Sequence, residues 1–164
     1  MDASPPPRPT SVTLVAIFGL AFGVLGMCVQ PLSLLAYFVD TGSNPVMDII
    51  RANTAVFLTL LSMGVLSVLL TVIEIVGCVG LLLMKPWSRG VVLFYAGASV
   101  LLQVSSTIFN SIFLLPELIS LGDPAAVGAA VGSVIGGCAG SLIPAAFLFV
   151  LTRPAVVHAY RGEV

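Results

Sequence analysis

One carboxylate stands deep inside an apolar run of this sequence. Glu74 lies within the run 54–84, about ten residues before its end at Lys85-Pro86, and so about 15 Å inward if the run is helical at ~1.5 Å per residue. At that depth of a bilayer a charge costs at least about 2.5 kcal/mol. Such a group is either carried as a neutral, hydrogen-bonded acid or it faces partners. Ser67, Thr71, Glu74 and Cys78 follow one another at helical spacing and share one face. In the next run Gln103, Ser106, Thr107 and Asn110 form a comparable polar stripe. About five residues join the two runs, which makes them antiparallel neighbours. Counted from that turn, Thr71 and Gln103 lie at similar depth, with Glu74 slightly nearer the turn.

The expectation is therefore that Glu74 meets the Gln103 face, with Glu74, Gln103 and Asn110 as the intramembrane polar residues. Read structurally, the contact clips two helices together and is worth about 0.6 to 2 kcal/mol. On that reading Glu74→Leu loosens the pair. Read chemically, Glu74 is a proton or cation site. No second carboxylate, His or Lys accompanies it within the apolar runs, which weakens a relay.

Other chemistry finds little support. The single histidine, His158, follows the last run beside Tyr160 and Arg161, where it faces headgroups. No His/Cys/Asp/Glu set has metal spacing, and CxxC and phosphate-cradling glycine loops are absent. Cys28, Cys78 and Cys138 all fall inside apolar runs and read as buried small hydrophobes. No catalytic, cofactor-binding or metal-ligating residues are expected, and no enzyme.

The strongest spacing signal concerns packing. Gly128, Gly132, Gly136 and Gly140 recur every four residues, beside the small stripe Ala129, Ser133, Gly137 and Ser141. Gly19, Gly23 and Gly26 repeat the pattern more briefly. Glycines so spaced flatten one helix face and let another backbone approach. The expected neighbour of the fourth run is the first, in one bundle, in the manner of a glycine zipper; self-association through the fourth run is the alternative.

The elements that carry these residues follow from composition. Hydrophobic residues make up 59% of the 164, and charged residues 8%, too few to cover a soluble domain of this size. A secreted disulfide scaffold, a nucleic-acid binder and a disordered chain are excluded. Four runs, about 11–39, 54–84, 90–115 and 124–152, are each long enough to span a bilayer. The first is too long for a signal-peptide core. Pro86, Pro116 and Pro154 mark ends, while Asn44-Pro45 and Asp123-Pro124 mark starts. Pro31 and Pro144 kink their helices. A short helix containing Asp48 and Arg51 precedes the second run, or that run protrudes.

The expected fold is an all-α four-helix transmembrane bundle over 11–152, between a disordered tail 1–10 and a tail 153–164. Arg8, Lys85, Arg89, Arg153 and Arg161 flank one side and Arg51 the other, so the positive-inside rule places both termini in the cytoplasm.

The KPWSRG turn after the second run and the LTRP exit after the fourth resemble small four-helix bacterial membrane proteins of unassigned function. The resemblance implies residence in a bacterial cytoplasmic membrane and no particular activity. Rotary proteolipids carry their carboxylate in the last helix, small multidrug exporters in the first, and tetraspanins and claudins carry outer-loop cysteines; none of these patterns is present. The expected role is that of a non-enzymatic scaffold or accessory subunit, whose partners are the lipid bilayer and a membrane protein or a second copy. The alternative is a small transporter or proton/ion-conducting component using Glu74.

Overall fold

The computed structural model describes residues 10–39, 45–120, 122 and 124–161. The tail expected over 1–10 falls outside the described residues apart from Thr10, as do Asp40, Asn44 and Asp123. Among the described residues every element is helical: α1 (Thr10–Ala36), α2 (Pro45–Ala52), α3 (Thr54–Leu82), α4 (Ser88–Phe109), a π-helical segment (Asn110–Leu114), α5 (Leu115–Ser120), α6 (Pro124–Leu151) and α7 (Pro154–Arg161). Four helical stretches are long and apolar enough to cross a membrane, namely α1, α3, the continuous run Ser88–Ser120 and the 131–151 portion of α6. The protein is therefore an all-helical membrane bundle.

Local chemistry explains the ends. Asn53 caps α3 by accepting from the backbone N–H groups of Ala55 and Val56, and of the two alternatives ahead of the second span the short helix with Asp48 and Arg51 is the one found, as α2. At the other end of α3, the N–H of Met84 reaches the Leu81 carbonyl and that of Lys85 reaches Gly80. This is a Schellman closure, with Met84 at φ 52° in the place glycine favours. The third span does not stop at Pro116. The π segment widens the helix one turn earlier, and the Leu115 N–H reaches back to the Asn110 carbonyl. Pro116 then sits in the first turn of α5, where a missing donor is tolerated.

Helix α1 lies against α3, α3 against α4, and α4 against α6, while α6 touches α1 over a shorter length. This corrects the expected pairing of the fourth span with the first. The physical reason lies in which glycines meet a neighbour. A Cβ placed on Gly19 would fall 2.5 Å from Cys78 Sγ, and one on Gly23 would fall 2.8 Å from Ile75. One on Gly26 would fall 3.5 Å from Thr71, so all three α1 glycines serve the approach of α1 to α3. On α6, Gly137 and Gly140 face Gln103 of α4, whereas a Cβ at Gly128, Gly132 or Gly136 would meet nothing within 4 Å. The outer three members of the expected zipper point away from the bundle.

Two apolar clusters hold the bundle. The larger lies at the end where α1 begins and α6 ends, with Val12, Ala16, Cys78, Leu81, Val92, Phe147 and Leu151 buried. Helix α7 closes this end, with Val156 buried and the Tyr160 hydroxyl donating to the Leu81 carbonyl at 3.4 Å; the stretch expected as a tail over 153–164 is thus helical over Pro154–Arg161. Arg89 Nε donates to the Leu151 carbonyl at 3.0 Å, tying α4 to α6. The smaller cluster, Ile50, Leu114 and Leu118, joins α2 to the third span at the opposite end. Cys28 and Cys138 are exposed on helix surfaces, which corrects their expected burial; Cys78 alone of the three is in the core.

Candidate functional site

Between the larger apolar cluster and α2 lie two neighbouring cavities that share lining residues and are read here as one chamber, polar at its inner end. Its outer part, about 390 Å³, is walled by Leu60, Met63, Leu102 and Leu114 and by the polar side chains of Ser67, Gln103, Ser106 and Asn110, beneath α2. Its inner part, about 120 Å³, shares Ser67, Leu102 and Gln103 with the outer part. Around the inner part stand Gln30, Thr71, Tyr95, Ser99, Gly140 and Pro144. An ordered water needs roughly 10–15 Å³ by this measure, so several fit in the inner part. Among the residues that wall either cavity, none carries a formal charge.

Helix irregularities supply the room. Pro31 follows Gln30 in α1, and Pro144 lies inside α6. A proline withdraws the donor from the carbonyl four residues earlier, which for Pro144 is Gly140, also on the inner wall. The π segment begins at Asn110, at the outer part. Three spans thus depart from regular helix at the level of the chamber, and π segments recur at functional sites.

Glu74 sits one turn beneath the floor. It is 4% exposed and forms no part of either cavity wall. Gly23 of α1 and Tyr95 of α4 flank it: the ideal Cβ position of Gly23 is 3.6 Å from Glu74 Oε2, and Tyr95, which also lines the inner cavity, is its polar neighbour on α4. Its Oε1 is buried with no hydrogen-bond partner. Ser99 stands one helical turn from Tyr95 on the same cavity wall. The Thr71 hydroxyl lies 3.0 Å from both Gln30 Oε1 and the Ser67 carbonyl, and its single proton goes to one of the two at a time.

The expected pairing of Glu74 with the Gln103 face is corrected here. Gln103 does reach the chamber beside Ser67 and Thr71, but its amide nitrogen lies 3.2 Å from a Cβ placed on Gly137 of α6. Thr107 turns to Gly137 as well, while Ser106 and Asn110 line the outer chamber. The partner of Glu74 on α4 is Tyr95, which the count of polar residues missed. The signal was present: Glu74 stands eleven residues before Lys85 and Tyr95 ten after it, equal depths on either side of the turn. An aromatic in an apolar run passes for packing, and its hydroxyl was overlooked.

Among the described residues no group of three His, Cys, Asp or Glu side chains could hold a metal ion. His158 lies on α7, away from the chamber in sequence, and its side chain is outside the described residues. Comparison of the chain with protein-family models, with curated proteins and with solved structures returns no match.

Proposed function

We propose that this protein is a small membrane transporter or ion-conducting component in which Glu74 is the group that takes up and releases a proton or cation. The observation that carries this reading is the orphaned Oε1 of a buried carboxyl one turn below a polar chamber. A carboxyl kept as a helix clip satisfies both oxygens, because an unmade hydrogen bond in an apolar interior costs about 1–3 kcal/mol. Intramembrane carboxylates carried at such cost mark ion and proton pathways. The reading reverses the order reached from sequence, in which a scaffold stood first.

On this reading the wider part of the chamber is the mouth of the pathway. The chamber widens toward α2, while the other end is filled by the larger apolar cluster. With the Lys/Arg asymmetry read by the positive-inside rule, the mouth faces outward across a bacterial cytoplasmic membrane and the plug faces the cytoplasm. The reading involves no enzymatic step. Purified protein reconstituted into vesicles with an entrapped pH indicator is expected to dissipate an imposed pH gradient, with Glu74→Gln at least about tenfold slower. Parent protein no faster than empty vesicles overturns the reading.

A second reading rests on a different observation, the open space beside Gly128, Gly132 and Gly136. It makes the protein a subunit that associates with a partner or with itself through the outer face of α6. Since these glycines touch nothing within the chain, Gly132→Leu and Gly136→Leu are expected to leave the melting of the isolated chain within about 0.5 kcal/mol. The same changes are expected to break the assembly seen by mass determination in detergent. Assembly unchanged by both substitutions rejects this surface.

A further inference from the structure

We propose that the cleft between α1 and α6 seats one acyl chain of an anionic phospholipid, with Arg153 holding the headgroup phosphate. The inference is independent of Glu74 and of transport. Helices α1 and α6 touch over a short length only, and between them lies a cleft of about 380 Å³ that shares no residue with the chamber. Phe18 and Phe22 of α1 and Ile143, Phe147 and Val150 of α6 wall it, and Ser11 at the start of α1 is its one polar residue. Leu14, Phe18 and Leu142 are each more than half exposed, so the cleft opens sideways, toward the bilayer.

Length is the first property that identifies the occupant. From Ser11 to Phe22 the α1 wall rises about 16 Å at ~1.5 Å per residue, which matches half of a hydrocarbon core ~30 Å thick. The cleft thus runs the depth of one leaflet, the reach of one lipid tail, and starts at headgroup level. A flexible tail fills an irregular apolar space and makes the contacts that an empty one forfeits. A helix ~10 Å across occupies roughly 1,200 Å³ over the same length, so a partner helix lays only a ridge of side chains there.

Charge is the second. Leu142 and Ala146 line the cleft, and Arg153 follows Ala146 by seven residues, which keeps it on their face of the helix. The Arg153 N–H reaches the Val150 carbonyl at 3.3 Å, so the backbone still turns past the end of α6. An exposed guanidinium therefore stands at the headgroup end of the cleft, 4.6 Å from the centroid of the Phe149 ring. Among the described residues the acidic side chains are Asp48 and Glu117 at the opposite end and Glu74 in the interior. None of them reaches this cation, and a phosphate is the anion whose geometry a guanidinium fits. Basic residues beside a cleft between membrane helices are the usual setting for an anionic headgroup.

The test is native mass spectrometry of the purified full chain, with phosphatidylglycerol or phosphatidylcholine of identical tails added in turn. One phosphatidylglycerol per chain is expected, retained at least about fivefold over phosphatidylcholine. Arg153→Gln is expected to bring the two lipids within about twofold of each other. Lys85→Gln removes the same charge from the exposed turn after α3 and is expected to leave the preference intact. Ala146→Phe fills the cleft from an exposed position and is expected to lower retention of both lipids at least about tenfold. Leu142→Trp, on the rim, provides the same reading if Ala146→Phe does not fold. No lipid on the parent, equal retention of the two lipids, or retention unchanged in the folded cleft-filling variants overturns the site. So does a loss of preference in Lys85→Gln equal to that in Arg153→Gln. A lipid-free dimer that Leu142→Trp dissociates overturns it in favour of a second copy.

Discussion

Replacing Gly19 with leucine is expected to separate α1 from α3 and lower stability by about 3 kcal/mol, the upper end of the usual overpacking penalty. The added Cβ alone would lie 2.5 Å from Cys78 Sγ and 3.0 Å from the Phe147 ring. Three further carbons then have no space in a cluster where Ala16, Cys78 and Leu81 are fully buried. Gly19→Ala isolates the first of these clashes. Because the shortest of these contacts is with the Cys78 sulfur, Cys78→Ala in the Gly19→Ala background is expected to recover part of the loss, a coupling a double-mutant cycle reads directly. Thermal or denaturant melting of the four variants in one detergent is the measurement. Additive losses in the cycle would mean that Gly19 and Cys78 do not meet. The contrast with Gly132→Leu is sharp, since the two glycines have the same composition-level signature and opposite surroundings.

The second large effect has the opposite sign. Glu74→Leu is expected to raise stability by about 1–2 kcal/mol, because it exchanges a buried oxygen without a partner for a methyl group of similar reach. Tyr95 loses Glu74 as a polar neighbour but still lines the inner cavity, which limits the new cost. The clip inferred from sequence requires a loss of about a kilocalorie instead. Melting of parent, Glu74→Leu and Glu74→Gln side by side separates the two. A gain in stability identifies Glu74 as a residue retained at the expense of the fold, the usual signature of a functional group. A loss restores the structural role and removes the main support for transport.

How far the sequence reaches is visible in these same residues. Four spans are legible because run length and apolar content leave few other arrangements. The depth of Glu74 is legible because helical rise is constant. The neighbour of each glycine is not: a small residue announces that something can approach and says nothing of what does. Gly137, read as belonging to the lesser stripe, is buried against Gln103 and Thr107, while Gly132 is bare. Pro116 reads as a stop since a proline ordinarily is one. The wider turn that absorbs it depends on hydrogen bonding between Asn110 and Leu115, and no single residue type specifies that. Tyr95 escaped for a related reason, because its ring argues for packing and its hydroxyl for chemistry.

The π segment has a consequence for how the third span can vary. One residue more in a turn than an α-helix holds puts the residues after Leu114 out of phase with those before Asn110 by about 100°. The span is thus two half-helices with independent faces. The portion before the slip addresses α3 and α6, and the portion after it keeps to α6 while turning Leu118 to Ile50 of α2. Substitutions in α2 and α5 therefore leave the helical phase of Tyr95, Ser99 and Gln103 unchanged. The cover over the chamber and the machinery beneath it are separable units of one continuous helix, free to diverge at different rates while the chain between them stays in register.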